Sequence, residues 1–298
     1  MEAVDRIKKL VYKIQSNRGS IITVNIDLYI NSFYYQLTLW ILTAFILGII
    51  SYRFKFLDYS GLTAAMTVGT LIFISGGFRW ILPLVLFFLL SSILPRLGTL
   101  FNLRERTRHP PRTAMQVTAN GGIAALAALV YIFYPHEGLP LIFLGSLAAA
   151  TSDTWSTEIG SFSRTRPRLI TNFKHVSKGT SGGLSLTGTL GGIAGALALT
   201  LSGTLLYPVR AAVYFASAES AAVILGGVIG NLTDSLLGAT VQSKYSCVVC
   251  GKVTEERNHC GKATTRFAGF EWIDNEMVNL LCSLSGGLSA VLIWGLIK

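Results

Sequence analysis

Long apolar stretches separated by short polar segments dominate this chain. About 20 consecutive apolar residues are needed to cross the hydrocarbon core of a bilayer as a helix. By that rule the sequence predicts spans at residues 33–50, 60–76, 79–97, 113–134, 139–159, 183–207, 219–241 and 272–297. We therefore expect an all-α fold, a polytopic integral membrane bundle of about 7–8 transmembrane helices.

Composition agrees with this class of protein. Hydrophobic residues make up 51% of the chain and charged residues only 13%, and the mean hydropathy is +0.53. The formal net charge of +10 lies in the loops, where it reports topology and attraction to anionic ligands or lipid headgroups. Nucleic acid is a poor candidate partner, because the apolar spans interrupt the positive charge.

The basic loops indicate how the spans are oriented. Loops 98–112, 160–182 and 242–271 are rich in Lys and Arg, whereas the intervening loops at 135–138 and 208–218 have almost no cations. Cytoplasmic loops of membrane proteins carry an excess of Lys and Arg. We therefore expect the three basic loops, and the active site with them, to face the cytoplasm or an equivalent compartment such as the stroma.

Two regions of different character follow from this pattern. Residues 1–32 form a basic N-terminal segment, which is either an interfacial helix or a solvated tail. We expect residues 33–298 to form one integral membrane domain, which would be the catalytic domain if the protein is an enzyme. That domain includes a basic phosphate-binding loop at 160–182 and a Cys/His loop at 242–271.

Polar residues recur at the same membrane depth in four of the predicted spans, always at the basic side. They are Gln116, Asn120, Asp153, Glu158, Asn231, Asp234, Ser235, Asn275, Glu276, Asn279 and Ser283. Ionisable groups within spans are costly and mark functional sites, so we predict one shared site. Asn and Ser in spans also hydrogen-bond neighbouring helices, and for Gln116 and Asn120 that interpretation is as good as a ligand role.

The acidic residues of this set predict a metal site. A bare carboxylate in hydrocarbon takes up a proton or binds a cation. Mg²⁺ prefers oxygen ligands and keeps waters or phosphate oxygens in its shell, so Asp153 and Asp234 would hold Mg²⁺. The candidates for catalytic residues are Asp153, Asp234, Glu158 and Asn231. Glu158 lies five residues after Asp153, on another helical face unless the helix ends there, and Asn231 would orient a ligand or metal-bound water. Gly226, Gly230 and Gly238 share a row with Asp234, and at that spacing they favour close helix packing.

The basic loop ends in Gly179-Thr180-Ser181-Gly182-Gly183, at the predicted start of the next span. Backbone N–H groups at a helix N-terminus bind anions, although no Walker A motif occurs in the chain. An ordinary connector is the alternative interpretation. The candidates for nucleotide or phosphate binding are Lys174, Lys178, Thr180, Ser181, Gly182, Gly183, Ser185, Asn275 and Asn279.

The Cys/His loop contains Cys247-Val248-Val249-Cys250 and, further on, His259-Cys260. These residues have the chemistry of zinc ligands, and a reduced cytoplasmic loop suits thiolates. The short gap and the adjacent His-Cys pair differ from zinc-finger spacing, so the pattern slightly favours free or redox-active thiols. Cys282, inside a span, is expected to be a small buried hydrophobe.

Five motifs, in order along the chain, resemble one family of membrane proteins. They are Ser152-Asp153-Thr154-Trp155-Ser156-Thr157-Glu158-Ile159-Gly160, the glycine segment from Gly179 to Thr189, the segment from Asp234 to Gln242, the Cys247…Cys260 loop and Asn275-Glu276-Met277-Val278-Asn279. Together they resemble the transmembrane protein 19 / phytyl-phosphate kinase family, over the stretch from about Ser60 to the C-terminus. Many members have Asn-Asp where this chain has Asn275-Glu276.

The resemblance implies an activity as well as a fold. Plant and cyanobacterial members are phytyl-phosphate kinases of the vitamin E pathway, so it implies Mg²⁺-dependent transfer of a phosphoryl group from CTP to a prenyl monophosphate. The implied partners are that lipid, a nucleoside triphosphate and the surrounding membrane lipids, and a homo-oligomer is left open. A CTP-dependent lipid cytidylyltransferase and a lipid or ion transporter are the rival functions.

Overall fold

A computed structural model describes residues 26–100, 110–203 and 217–298. Within these ranges it describes the side chains from residue 34 onward, except those of residues 97–100. Most of the basic N-terminal segment 1–32, most of the basic loop 98–112 and nearly all of the loop 208–218 lie outside the described residues. The chain divides into two compact units, residues 1–47 and residues 48–298. The predicted site residues all belong to the second unit.

The described residues contain eight helices, whose bounds lie within a few residues of the predicted spans at most ends. They are α1 (Ile26–Arg53), α2 (Tyr59–Gly76), α3 (Phe78–Leu100), α4 (Ala114–Phe133), α5 (Gly138–Ser161), α6 (Leu186–Ser202), α7 (Ala218–Thr240) and α8 (Asn275–Ile297). The all-α membrane bundle predicted from the apolar pattern is confirmed.

Six of these helices are long and apolar enough to cross a membrane, namely α1, α2, α3, α4, α7 and α8. Helix α6 is apolar but has only 17 residues. Helix α5 has 24 residues and is long enough, but its last turns are polar (Thr151-Ser152-Asp153-Thr154, then Ser156-Thr157-Glu158). The two helices outside the set of six are therefore the pair that flanks the basic loop 160–182.

Helix α5 occupies the centre of the second unit. It packs against α4, α6, α7 and α8 and also contacts α3. Its first half is buried on every side, since Leu141, Phe143, Leu144 and Leu147 are each no more than 2% exposed. A helix that is apolar all round belongs in a core, and this position holds the polar end of α5 in the middle of the bundle.

Small residues let α5, α7 and α8 approach closely. A Cβ atom added to Gly230 would lie 2.4 Å from the Cβ of Ala149 on α5, and one added to Gly226 would lie 2.6 Å from the carbonyl oxygen of Gly286 on α8. Membrane helices associate chiefly through such close packing. The packing role predicted for Gly226 and Gly230 is confirmed. Gly238 instead packs against the basic loop, where an added Cβ would lie 2.2 Å from Ser181 Oγ.

Short strands in two loops add β-structure that the apolar pattern did not predict. Strands β1 (Arg168–Leu169) and β2 (Gly183–Leu184) pair antiparallel. In the Cys/His loop the strand order is β4 (Val253–Thr254), β3 (Lys244–Ser246) and β7 (Thr265–Ala268), and β5 (Asn258–His259) pairs with β6 (Lys262–Ala263). These pairs shape the loops that cover one end of the bundle.

The described parts of the basic loops lie at one end of the second unit, as the charge pattern predicts. The N–H of Asp58, before α2, donates to the carbonyl oxygen of Arg112, before α4, over 3.1 Å. Ser181 Oγ, in the α5–α6 loop, donates to Gln242 Oε1, in the α7–α8 loop, over 2.7 Å. At the other end, Lys298 Nζ pairs with Glu137 Oε2 at 3.0 Å.

Candidate functional site

Asp153 and Asp234 are brought together at the end of the bundle that carries the basic loops. Asp153 lies on α5 and Asp234 on α7, and the two helices pack directly against each other. Their carboxylates are close enough to interact electrostatically. Both side chains are half-buried, so the protein encloses them while leaving a path to a ligand. Two carboxylates that interact in this way are candidates for binding a shared cation.

A third carboxylate, that of Glu255, joins this pair from the Cys/His loop. Its charge acts on both Asp153 and Asp234. Desolvation raises the pKa of Glu255 above its ordinary value, and the neighbouring Gln242 and Ser181 side chains and the Lys244 ammonium oppose that rise. The sequence analysis did not select Glu255, because it stands in a polar loop beside Glu256, where a solvated charge is the ordinary expectation.

The helices and the loop that carry the site also contain buried polar atoms without protein partners. Among the described residues, the side-chain atoms Ser152 Oγ, Ser283 Oγ, Gln242 Nε2 and Trp155 Nε1 are buried and make no hydrogen bond. Such atoms are costly to bury unless a ligand, ion or water satisfies them. Ser152 directly precedes Asp153, and Ser283 is fully buried on α8. The orphaned hydroxyl oxygens and the carboxylates are oxygen donors, which is the ligand type that Mg²⁺ prefers.

Asn231 is buried one turn before Asp234 on α7. Its amide Nδ2 approaches α6 at Gly192, where an added Cβ would lie 2.6 Å from that nitrogen and 3.0 Å from Ser152 Oγ. Gly192 thus makes room for two polar side chains between α5, α6 and α7. Asn231 therefore lies beside Ser152, close to Asp153 in the chain, as an orienting residue would.

A cavity of about 430 Å³ opens beside Asp153, between α3, α4, α5 and α8. Its polar lining includes Gln116, Asn120, Asp153, Glu158 and Asn279, so the structure unites predicted residues from three of the four spans. Its wall also carries three cations that the sequence analysis did not select, Lys55, Arg96 and Arg112, and apolar side chains such as Phe56, Phe87 and Pro95.

Gln116 and Asn120 also make local hydrogen bonds. Gln116 Oε1 accepts from the N–H of Thr113 over 3.2 Å, which caps the start of α4. Asn120 Nδ2 donates to the carbonyl oxygen of Gln116 over 2.9 Å. Each residue therefore has a structural role and a place in the cavity wall, and both interpretations from the sequence remain in force.

Arg112 joins the segment before α4 to α3 in the wall of the cavity. Its guanidinium donates to the carbonyl oxygen of Ser91 over 2.8 Å and to Ser91 Oγ over 3.1 Å. Burial lowers the pKa of Arg112, and the charge of Glu158 opposes that change. Glu158 itself is buried, at 7% exposure. The structure thus assigns Glu158 an arginine neighbour in the same cavity that Asp153 lines, although five residues separate the two carboxylates.

Replacing Arg112 should destabilise the protein. Arg112→Met would remove two hydrogen bonds of a charged donor and leave Glu158 without its arginine, at a cost of about 3 kcal/mol or more. Arg166→Met removes an exposed arginine from the α5–α6 loop and should change stability by less than about 0.5 kcal/mol. Apparent Tm values in detergent, compared at one scan rate, measure the difference. Equal Tm values for the two variants would contradict this role.

The second cation of the cavity, Arg96, is held against the α1–α2 loop. Its guanidinium stacks on the ring of Phe56, 3.9 Å from the ring centroid, and donates to the carbonyl oxygen of Phe54. Cation–π contacts and backbone acceptors fix the orientation of a guanidinium without neutralising its charge. The guanidinium of Arg96 is therefore held in a defined orientation in the cavity wall.

The glycine segment differs from the sequence expectation in where the helix begins, and its candidates for phosphate binding stay predictions. Helix α6 begins at Leu186, with Ser185 Oγ as its N-cap acceptor from Gly188 over 3.1 Å, whereas Gly183 and Leu184 form strand β2. The N–H of Gly183 donates to the carbonyl oxygen of Thr180 over 3.0 Å. The amide of Gly183 and the hydroxyl of Ser185 are thus engaged within the chain, because the segment forms a turn and a strand before the helix starts.

The remaining phosphate-binding candidates divide by position. Lys174, Lys178 and Asn275 are exposed, and neither lysine forms an ion pair with a described residue. They do not line the cavity, whereas Asn279 does. Thr180 and Gly182 are half-buried in the turn, and Ser181 joins the polar cluster through Gln242. The structure therefore brings Ser181 and Asn279 to the acidic residues and leaves the lysines on the surface.

The four ligand candidates of the Cys/His loop converge. One ligand atom from each of Cys247, Cys250, His259 and Cys260 lies within 4.8 Å of all the others. The pKa of Cys247 is lowered to about 6, chiefly because the N–H of Cys250 donates to its sulfur. The neighbouring thiols of Cys250 and Cys247 raise the pKa of Cys260 to about 11. Cys282 is buried on α8, away from this loop in the chain, as expected.

Fold and site define a polytopic membrane protein with a carboxylate cluster, and a cavity containing cations, at one end of its helical bundle. The chain belongs to the family of integral membrane proteins described as DUF92, which matches residues 42–287. The resemblance to the transmembrane protein 19 / phytyl-phosphate kinase family drawn from the motifs is confirmed.

Three relatives illustrate the breadth of the family. An uncharacterised membrane protein of Methanocaldococcus jannaschii is 32% identical over 85% of this chain and 92% of its own length. Protein PGR of Arabidopsis thaliana is 34% identical over 78% of this chain and 88% of its own. Protein VTE6, a chloroplastic protein of Arabidopsis thaliana, is 26% identical over 79% of this chain and 65% of its own. No solved structure matches the chain.

Proposed function

We propose that this protein is a kinase that transfers a phosphoryl group from CTP to a prenyl monophosphate, such as phytyl phosphate, at the membrane surface. The observation that carries the proposal is the cluster of Asp153, Asp234 and Glu255 beside a cavity with both cations and apolar walls. Phosphoryl transfer depends on positioning and charge stabilisation rather than on covalent chemistry by the protein, and those are what such a site supplies.

The acceptor would occupy the cavity. Its phosphate would contact Arg96, Arg112 or Lys55, and its isoprenoid chain would lie along Phe56, Phe87 and Pro95 towards the lipid. The carboxylates that share this cavity with the cations favour binding of a phosphate together with a metal ion. The mixed lining therefore suits an amphipathic substrate with an ionised head.

Asp153 and Asp234 would hold Mg²⁺, which would supply positive charge to stabilise the phosphoryl group during transfer. Asn231 and Asn279 would orient the phosphates around these carboxylates. An oxygen of the acceptor phosphate attacks the γ-phosphorus of CTP, the bond from that phosphorus to the β–γ bridging oxygen breaks, and CDP leaves. The acceptor oxygen is already ionised, so no strong general base is needed, in keeping with the Asn-rich site.

Labelled CTP distinguishes this activity from its rivals. Purified protein in detergent would be incubated with Mg²⁺, phytyl phosphate and CTP labelled at either the α- or the γ-phosphorus. A kinase transfers the γ label to the lipid and releases CDP, whereas a cytidylyltransferase transfers the α label and releases pyrophosphate. Absence of both labels from a panel of prenyl monophosphates would overturn the proposal and leave a transporter as the alternative.

Sealed vesicles with the protein in known orientations would show which side, cytoplasmic or stromal, carries the activity.

The basic loop would contact the triphosphate, and Lys178 tests this part of the proposal. Lys178 lies four residues before Gly182, which packs against the Asp234 helix. Lys178→Ala should weaken CTP binding by about 1.5–3 kcal/mol if the ammonium makes a charge-assisted hydrogen bond. Arg164→Ala, an exposed cation earlier in the same loop, serves as the control for general attraction. Equal Kd values for CTP in the two variants would place the triphosphate elsewhere.

A further inference from the structure

The Cys/His loop contains two tight turns, each of which carries two potential metal ligands. In the first turn the N–H of Cys247 donates to the carbonyl oxygen of Lys252 over 2.9 Å, and the N–H of Gly251 donates to that of Cys247 over 2.9 Å. Gly251 has a φ of +70°, which lets the chain reverse between β3 and β4. Cys247 and Cys250 therefore project from one compact turn.

The second turn joins β5 and β6. His259 pairs with Lys262, so Cys260 and Gly261 form a two-residue connection with φ values of +53° and +74°. Positive φ at both central residues is typical of a type I′ hairpin turn. A positive φ is uncommon at a residue other than glycine, and here it places the sulfur of Cys260 beside the His259 ring.

Two of the six distances between the ligand atoms are close to those of a tetrahedral zinc site. Cys250 Sγ lies 3.5 Å from His259 Nδ1, and Cys260 Sγ lies 3.2 Å from it. Zinc bonds of about 2.3 Å to sulfur and about 2.0–2.1 Å to nitrogen give tetrahedral S···N edges of about 3.6 Å. The N–H of Val249 approaches Cys247 Sγ at 3.4 Å, which orients that sulfur. A disulfide would join two of these three cysteines and leave the third sulfur and the imidazole unused.

We propose that Cys247, Cys250, His259 and Cys260 bind one Zn²⁺ ion, which holds the loop so that Glu255 lies beside Asp153 and Asp234. Glu255 stands between the two ligand-bearing turns in the chain. The segment between the turns is also restrained by the two-residue β3–β4 pairing and by bonds from Thr264 to the carbonyl oxygens of Glu256 over 2.8 Å and Arg257 over 2.9 Å. An exposed ion pair between Arg257 and Glu271 at 3.7 Å adds to these. Zinc would close both ends of this segment, so Glu255 is a positioned residue and the zinc is structural.

Metal analysis of the purified full chain tests the zinc directly and needs no assay of activity. Protein prepared without an affinity tag that binds metal should contain one zinc per chain, in line with four-ligand structural sites. Cys250→Ser should lose it. Cys282→Ser should keep it, because that fourth cysteine is buried in α8 outside the cluster. Cys260→His should also keep it, since Cys₂His₂ is an equally good ligand set.

Cobalt and hydrogen exchange complete the test. Chelator-treated wild-type protein given Co²⁺ should show the visible absorption of tetrahedral thiolate-bound cobalt, and this measurement remains decisive if Cys250→Ser fails to fold. Removal of zinc should speed amide exchange in residues 251–258 while the exchange of α5 and α7 stays slow. Protein without zinc that gives no such cobalt spectrum would overturn the site, and unchanged exchange at 251–258 would overturn its role in holding Glu255.

Discussion

Asp153→Asn and Asp234→Asn should each lower the proposed turnover of CTP and prenyl monophosphate at least about 100-fold. A catalytic metal contributes several kcal/mol of charge stabilisation, and each 1.36 kcal/mol is a factor of ten in rate. The two carboxylates lie on helices packed against each other and interact electrostatically. The double variant should therefore cost little more than either single one, because residues that act as a unit are not additive.

The matched control for these variants is Glu137→Gln. Glu137→Gln also replaces a carboxylate with an amide, but at the opposite end of the bundle. There Glu137 is exposed and pairs with Lys298 at 3.0 Å. We expect this variant to retain wild-type turnover. Steady-state rates at saturating CTP, with insertion and purification yield compared for all variants, measure the effect. Near-wild-type turnover of either single aspartate variant would exclude the shared metal site.

Gly182→Ala should destabilise the contact between the basic loop and α7. Gly182 has a φ of +82°, and a Cβ there would lie 2.5 Å from Ala239 Cβ and 2.6 Å from the carbonyl oxygen of Ser235. A left-handed backbone costs a residue with a Cβ about 1–2 kcal/mol, and overpacking adds about 1–3 kcal/mol. Gly182→Val should be worse, because the collision involves backbone and a short side chain that cannot move aside.

The chain offers a close control for this effect. Gly179 has a φ of +80° in the same loop, and nothing lies within 4 Å of a Cβ built there. Gly179→Ala should therefore show only the backbone cost of about 1–2 kcal/mol. Apparent Tm in detergent and the rate of protease cleavage in residues 162–182 measure both variants. Equal shifts of Tm would mean that the close approach of Gly182 to α7 adds nothing to stability.

The pattern of apolar and polar positions determined the helices and much of the acidic site. Apolar runs of a bilayer's length are a local property of the chain, so the spans could be read without any contact being known. The cost of a carboxylate in hydrocarbon is also local, which is why Asp153 and Asp234 could be selected. The cation pattern likewise predicted that the basic loops share one end of the bundle.

Only the tertiary structure decided which other groups meet these two aspartates. Glu255 reaches them from a polar loop, and Arg112 and Arg96 enter the cavity from the ends of other helices. Contacts between residues far apart in the chain depend on how loops fold back over the bundle, and the composition of a loop does not encode that path. The spacing of Cys247, Cys250 and His259-Cys260 differs from that of zinc fingers and slightly favoured free thiols. Only the three-dimensional structure shows the two turns that bring the four ligand atoms together.

Gly182 shows the same division between sequence and structure. Its place among glycines and beside Lys178 predicted a backbone that approaches a phosphate, whereas the close partner in the structure is helix α7. A glycine marks a position where something must come near or where φ is positive. Local sequence indicates that requirement, but the identity of the neighbour is a property of the assembled bundle, because it is set by packing between elements more than 50 residues apart.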